Sequence, residues 1–163
     1  MTRLRSALLL AAFAATTAGA QPASVASTSR DTALTYVGSG NFIVGRLARE
    51  CLGLVGRADT PQEVVARWQD RNAPYVDASA RYMERRLAEA EATGGQPARE
   101  ALQQAMRNAV IGSGEEAVRA MLQGRREEAC MRAISLLDAG GLDISPKTPM
   151  YQELEGLVRW AQE

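Results

Sequence analysis

The sequence predicts an all-α, single-domain bundle of about five helices, the second kinked near Pro74, with one disulfide linking the first and fourth helices. Three observations predict it. Apolar residues recur at three- and four-residue steps, and no stretch sustains the apolar–polar alternation of a half-buried strand. Helix-start and helix-stop residues bracket those apolar runs. Two cysteines, Cys51 and Cys130, fall on the apolar stripes of two different runs.

The first run opens at Asp31-Thr32, is expected to pause at Gly38-Ser39-Gly40, and restarts with Asn41 as a cap. Val44, Leu47, Cys51, Leu54 and Val55 then form one stripe, and Gly56 supplies a stop. The second run has the clearest start in the chain. Thr60-Pro61-Gln62-Glu63 combines a capping box with proline at the first helical position. Val64, Val65, Trp68, Tyr75, Val76, Tyr82, Met83 and Leu87 carry its apolar face toward Ala92. Pro74 cannot donate a backbone hydrogen bond and clashes with the preceding turn, which places a kink or break at Arg71 to Ala73. Thr93-Gly94-Gly95 ends the run.

Pro97 opens the third helix, with Ala101, Leu102, Ala105, Met106, Ala109 and Val110 as its expected inner face. The alanine column would let a neighbouring helix approach closely. Gly112-Ser113-Gly114 is expected to break it, and Ser113 with Glu116 reads as a capping box for the fourth helix. Ala117, Val118, Met121, Leu122, Cys130, Ala133, Ile134 and Leu137 form that helix's stripe, and Gly140-Gly141 ends it. A loop with Pro146 leads to Thr148-Pro149 and a last helix carrying Met150, Leu154, Leu157, Val158 and Ala161. Short connections favour antiparallel neighbours, hence a bundle.

The start of the chain has the three parts of a cleavable export signal over residues 1–20. Met1 to Arg5 is basic, Ser6 to Thr17 is apolar and uncharged, and Ala18-Gly19-Ala20 supplies the small residues a signal peptidase reads. The apolar part is shorter than the ~20 residues a membrane span needs, and no later segment is long and apolar enough, so no stable membrane insertion is expected. Residues 21–30 are Ser-, Ala-, Thr- and Pro-rich and are expected to be a flexible mature N-terminus, ahead of a helical domain at 31–163. Cleavage removes Arg3 and Arg5 and no acid, taking the 19 basic residues to 17 against 19 acidic ones, a net charge of −2. That charge argues against a nucleic-acid partner, whose footprint is a basic excess. Lys147 is the one lysine beside many arginines and alanines, a composition that fits a GC-rich bacterial genome. Both cysteines lie in the exported part, where an even pair implies a disulfide and a periplasmic or secreted location.

The chemistry is bounded mostly by what is missing. There is no histidine, so the usual general base and the commonest transition-metal ligand are absent. No CxxCH haem-attachment motif or clustered cysteine site occurs, and Met83, Met106, Met121, Met131 and Met150 do not cluster. No cofactor, metal site or catalytic residue is assigned. Acids that could run glycoside hydrolysis sit beside arginines in the pattern of a solvated, ion-paired helix surface. Two features stand out. Trp68, Tyr75 and Tyr82 are spaced by sevens on one stripe, which is core in a bundle or else a partner surface. Arg71 and Asn72 precede Pro74, placed to staple the kink or to bind a ligand. The core reading carries the further expectation that Trp68 is buried and Tyr82, beyond the kink, at least partly exposed. The functional expectation is an exported, non-enzymatic binding protein such as an inhibitor or immunity protein acting on a protein partner. A cell-envelope adaptor or chaperone is the alternative, and a hydrolase working through carboxylates alone ranks below both. The candidate partner surface is Trp68, Arg71, Asn72, Tyr75 and Tyr82.

Overall fold

The structure, a computed structural model, describes residues 24–163. The expected signal segment at 1–20 and the expected loose residues 21–23 lie outside the described residues. Five helices follow in order, α1 (Thr28–Cys51), α2 (Pro61–Arg71), α3 (Ala73–Met121), α4 (Arg126–Asp138) and α5 (Tyr151–Ala161), with no strand among the described residues.

Helix α1 packs against every other helix. Its buried residues explain how one helix serves four neighbours. Ala33, Leu34, Val37, Val44, Leu47, Ala48 and Cys51 point into the core from several sides, an apolar surface wider than the single stripe of a surface helix. Thr28 to Arg30, expected in the loose N-terminus, form its first turn. Gly38-Ser39-Gly40 does not interrupt it, contrary to expectation. These glycines serve close approach rather than a turn: a Cβ on Gly40 would lie 2.9 Å from Cζ2 of Trp68, and one on Gly38 would lie 2.7 Å from Cγ2 of Val110. Asn41 is therefore a mid-helix residue, bonded through its side-chain oxygen to Gln69 Nε2 at 2.7 Å.

The start of α2 follows the sequence signal. Thr60 Oγ1 accepts from the Glu63 amide at 3.3 Å, and the Glu63 carboxylate accepts from the Thr60 amide at 2.7 Å. The Thr60 amide first, and then the Thr60 hydroxyl donating to the same carboxylate at 2.9 Å, hold the Glu63 carboxyl below its ordinary pKa. The expected kink is a true corner. Asn72 leaves helical geometry at φ −109° and ψ 19°, and α3 starts on the next residue with Pro74 in its first turn.

Helix α3 changes direction at Gly95, whose φ of 68° and ψ of −170° suit glycine alone, and Pro97 restarts it. Two expectations fail in its second half. Ala101, Ala105 and Ala109 are exposed, and the inner face is instead Leu102, Met106 and Val110. Both sets recur every four residues, so spacing could not say which column meets α1. Gly112-Ser113-Gly114 leaves the helix intact, because Gly114 is buried against the Phe42 ring with no room for a Cβ. The break comes at Gly124 (φ 94°), so Ala117 to Met121 end α3 rather than begin α4.

Helix α4 turns Ala129, Cys130, Ala133, Ile134 and Leu137 inward. Cys51 and Cys130 are bonded and fully buried, tying the end of α1 to α4 across 79 residues of sequence. In the chain-entropy account, closing such a loop is worth about 4 kcal/mol. Ion pairs flank the bridge, with Arg126 and Arg46 both on Glu50. Helix α5 contributes the fully buried Leu154 and Leu157 and begins two residues after Pro149.

A cleft above Trp68

Trp68 sits near the end of α2 and is 1% exposed. Its ring lies against Gly40 of α1, where the missing side chain makes the space. A buried indole needs a partner for its N–H, and Nε1 donates to the carbonyl of Leu142 at 2.9 Å. That bond reaches into the loop between α4 and α5. The α2–α3 corner fastens the same loop. Arg71 donates to both carboxylate oxygens of Asp143, at 2.7 and 3.1 Å. Its bond to Asp143 raises the guanidinium's pKa, so this charge is permanent. Asn72, 1% exposed, accepts from the Ile144 amide at 2.7 Å and donates to the Trp68 carbonyl at 2.8 Å. Asn72 therefore adds a second bond to a carbonyl that its own backbone amide already reaches at 3.1 Å, and holds the loop at once.

With the loop fixed, α1, α2, the end of α3 and the loop enclose a cleft of about 530 Å³. This is within the ordinary range of ligand sites, ~300–1,000 Å³. The buried Trp68 ring backs an apolar floor whose accessible part is Tyr36 and Ile43, with Leu142 and Pro149 on the loop side. Ser113, Ser145 and Thr148 are the hydroxyl-bearing residues of the accessible walls, and Ser39 is buried behind them. Ser39 is turned inward, donating to the Val110 carbonyl at 3.3 Å. Two charged residues line the cleft, Asp143 and Lys147. Asp143 is neutralised by Arg71. Lys147 is exposed and has no carboxylate within ion-pair distance among the described residues.

The five residues of the candidate surface thus separate. Trp68, Asn72 and Tyr82 are buried, so the aromatic stripe is core along most of its length. Arg71 is exposed but committed to Asp143. Tyr75 is half-buried and donates to Glu155 at 2.8 Å; burial first, then that bond, pushes its phenol above the ordinary tyrosine range. Tyr82 is 0% exposed, which corrects the expectation of partial exposure. Its ring meets Trp160 edge-on at 5.1 Å, and the chain before α1 lies over its hydroxyl. Trp68 alone of the five lines the cleft. Sequence reading missed the other walls. Ser39 lay inside a supposed helix break, and Lys147 drew notice only as a matter of composition.

A second hollow of about 470 Å³ lies between α1 and α2, beside Asn41, Phe42, Arg49, Gln62 and Val65. The Asn41–Gln69 hydrogen bond runs along its edge and closes the two helices on each other. Among the described residues no group of three or more acids or cysteines is placed to hold a metal, and no helix is long and apolar enough to cross a membrane. Compared with protein-family models, curated proteins and solved structures, the chain matches none.

Proposed function

We propose that the chain is an exported, non-enzymatic binding domain that receives a protein partner in the cleft above Trp68, acting as an inhibitor or immunity protein does. One observation carries the reading: the cleft's floor and wall are fixed by bonds within the chain. Its floor is locked by the indole-to-Leu142 bond and its wall by the paired bonds from Arg71, so little ordering remains to oppose binding. The cleft's one acid, Asp143, is tied to an arginine, whereas a two-carboxylate hydrolase needs a second acid across the site. The Cys51–Cys130 bond fits an oxidising compartment outside the cytoplasm. A cell-envelope adaptor or chaperone would need a surface for extended clients, and a cleft this size holds only a residue or two.

The test is capture from a periplasmic extract on immobilised mature protein, beside an Ala117→Arg variant that fills the cleft from its α3 wall. One stoichiometric partner, lost in the variant, is the expected result. Many weak clients held equally by both proteins would favour the adaptor reading. A single partner held equally by both would move the binding surface away from the cleft.

A further inference from the structure

We infer that the cleft recognises the free C-terminal end of a polypeptide whose last residue is apolar, the side chain resting against Tyr36, Ile43 and Leu142 and the α-carboxylate meeting Lys147. The inference rests on the proposed role as a protein-binding domain and names what part of the partner enters.

The charge balance of the cleft comes first. Asp143 and Arg71 cancel, which leaves Lys147 as the one uncompensated charge on the lining among the described residues. A cation beside an apolar floor selects a ligand that is anionic at one end and apolar at the other. Lysine is a mobile point charge on a four-carbon stem, so it can follow a carboxylate at the rim without a fixed fork geometry. Two hydroxyls flank it in the sequence. Thr148 Oγ1 accepts from the Ser145 amide at 3.0 Å and keeps its own proton to donate, and Ser145 Oγ lines the same wall. Lys147, Ser145 and Thr148 together offer a carboxylate one charged and two neutral donors.

The geometry then separates a chain end from an internal acid. In a C-terminal residue the carboxylate and the side chain leave the same carbon, so one residue can reach both the rim and the floor. An internal Asp or Glu carries its carboxylate on the side chain itself, so that one residue has no second, apolar side chain to set against Ile43 and Leu142. Capture of a terminal carboxylate by a small set of donors is an established mode of peptide recognition.

The test uses mature protein with its disulfide intact and an N-terminally dye-labelled, Gly/Ser-rich hexapeptide ending in phenylalanine, followed by fluorescence anisotropy. The free-acid peptide should bind, and its C-terminal amide should bind about tenfold more weakly, the loss of one charge-assisted contact. Lys147→Glu should weaken the free acid by about tenfold or more and leave the melting temperature unchanged, because Lys147 is exposed and unpaired. Equal binding of acid and amide, an unaltered affinity in Lys147→Glu, or no binding of the acid would overturn the inference. So would 3-phenylpropionate displacing the peptide at equal affinity, which would make this a site for small free acids. The broader reading fails differently. If extract capture yields a stoichiometric partner that Lys147→Glu holds as well as wild type, the partner-binding role stands and the chain-end inference falls. If the acid peptide binds but no protein is captured, it is the role that falls.

Discussion

Trp68 and Tyr82 share one stripe in the sequence but lie on α2 and α3, on either side of the Asn72 corner, and their surroundings differ. Both rings are buried, and both satisfy their polar atom, Trp68 on the Leu142 carbonyl and Tyr82 on Asp31 at 2.7 Å. At Tyr82 the chain supplies its own cover. Ser27 donates its amide to the phenol oxygen, Ser24 and Val25 bond to Glu89, and the Arg30 guanidinium lies 5.6 Å from the Tyr82 ring and 5.4 Å from Trp160. At Trp68 the ring is covered as well, 1% exposed, but among the described residues a cleft adjoins it. Burying amphipathic rings is common to both regions; what differs is the space beside the ring. Where packing is complete the region is structural, and where a cleft is left beside a fixed ring there is room for a partner.

The largest expected effect comes from deleting the indole that backs the cleft. Trp68→Ala removes a buried indole and leaves Leu142 without its donor, at a cost of about 3–5 kcal/mol. Thermal melts of the oxidised protein check this. A melting point within a degree of wild type would mean Trp68 is no part of the core, and the comparison would collapse. At the covered end the comparable change is milder. Tyr82→Phe keeps the ring against Trp160 but loses the bond to Asp31 and the acceptor for the Ser27 amide, costing about 1–3 kcal/mol. Loss of protection at residues 24–30 in hydrogen exchange, with the cleft loop unaffected, would show that the two ends are independent.

A smaller pair of changes sharpens the point through sign. Replacing helical glycine with alanine gains about 1 kcal/mol of helix propensity. At Gly112 nothing stands within 4 Å of the new Cβ, so Gly112→Ala should raise the melting point. At Gly40 the new Cβ meets the Trp68 ring, which its hydrogen bond to Leu142 holds in place, so overpacking of about 1–3 kcal/mol should outweigh the gain. Stabilisation by both would mean that the Trp68 ring yields easily and the cleft floor is soft.

These glycines also show where sequence reading stops. The start of α2 at Thr60, the corner before Pro74, the restart at Pro97 and the Cys51–Cys130 pairing were legible, because each depends on covalent geometry or on neighbours in sequence. Gly38, Gly40 and Gly114 were misread as breaks, because a glycine needed for its missing Cβ looks the same as one needed for positive φ. The alanine column was placed inside because columns one residue apart share the same period. Trp68 stood out from its type and spacing. Its role depends on Leu142, Asp143 and Lys147, more than seventy residues away and brought in by a loop that carries no periodic signal.

The finest difference between the two ends is their response to acid. The Glu89 carboxylate accepts from the Ser24 hydroxyl, the Val25 amide and Arg86, and these bonds, Ser24 foremost, hold its pKa below the ordinary value. A carboxyl depressed in the folded state contributes stability above its unfolded pKa, about 4.3 for Glu, and loses it as pH falls through the folded value. The cover over Tyr82 should therefore hold at neutral pH and loosen below about pH 4. The bond beneath the cleft joins an indole to a carbonyl, and neither titrates in that range. Whole-protein melts would not isolate Glu89, because Asp59 and Glu63 are also depressed, the first by Arg57 and Arg67, the second by Thr60. Glu89→Gln gives the needed control, since it removes the titrating group and leaves those two in place. Hydrogen exchange at residues 24–30, compared between pH 6 and pH 3, should show wild type losing protection on acidification. The variant should start from lower protection and change less. Equal acid loosening in both proteins would leave Glu89 a bystander at this end of the molecule.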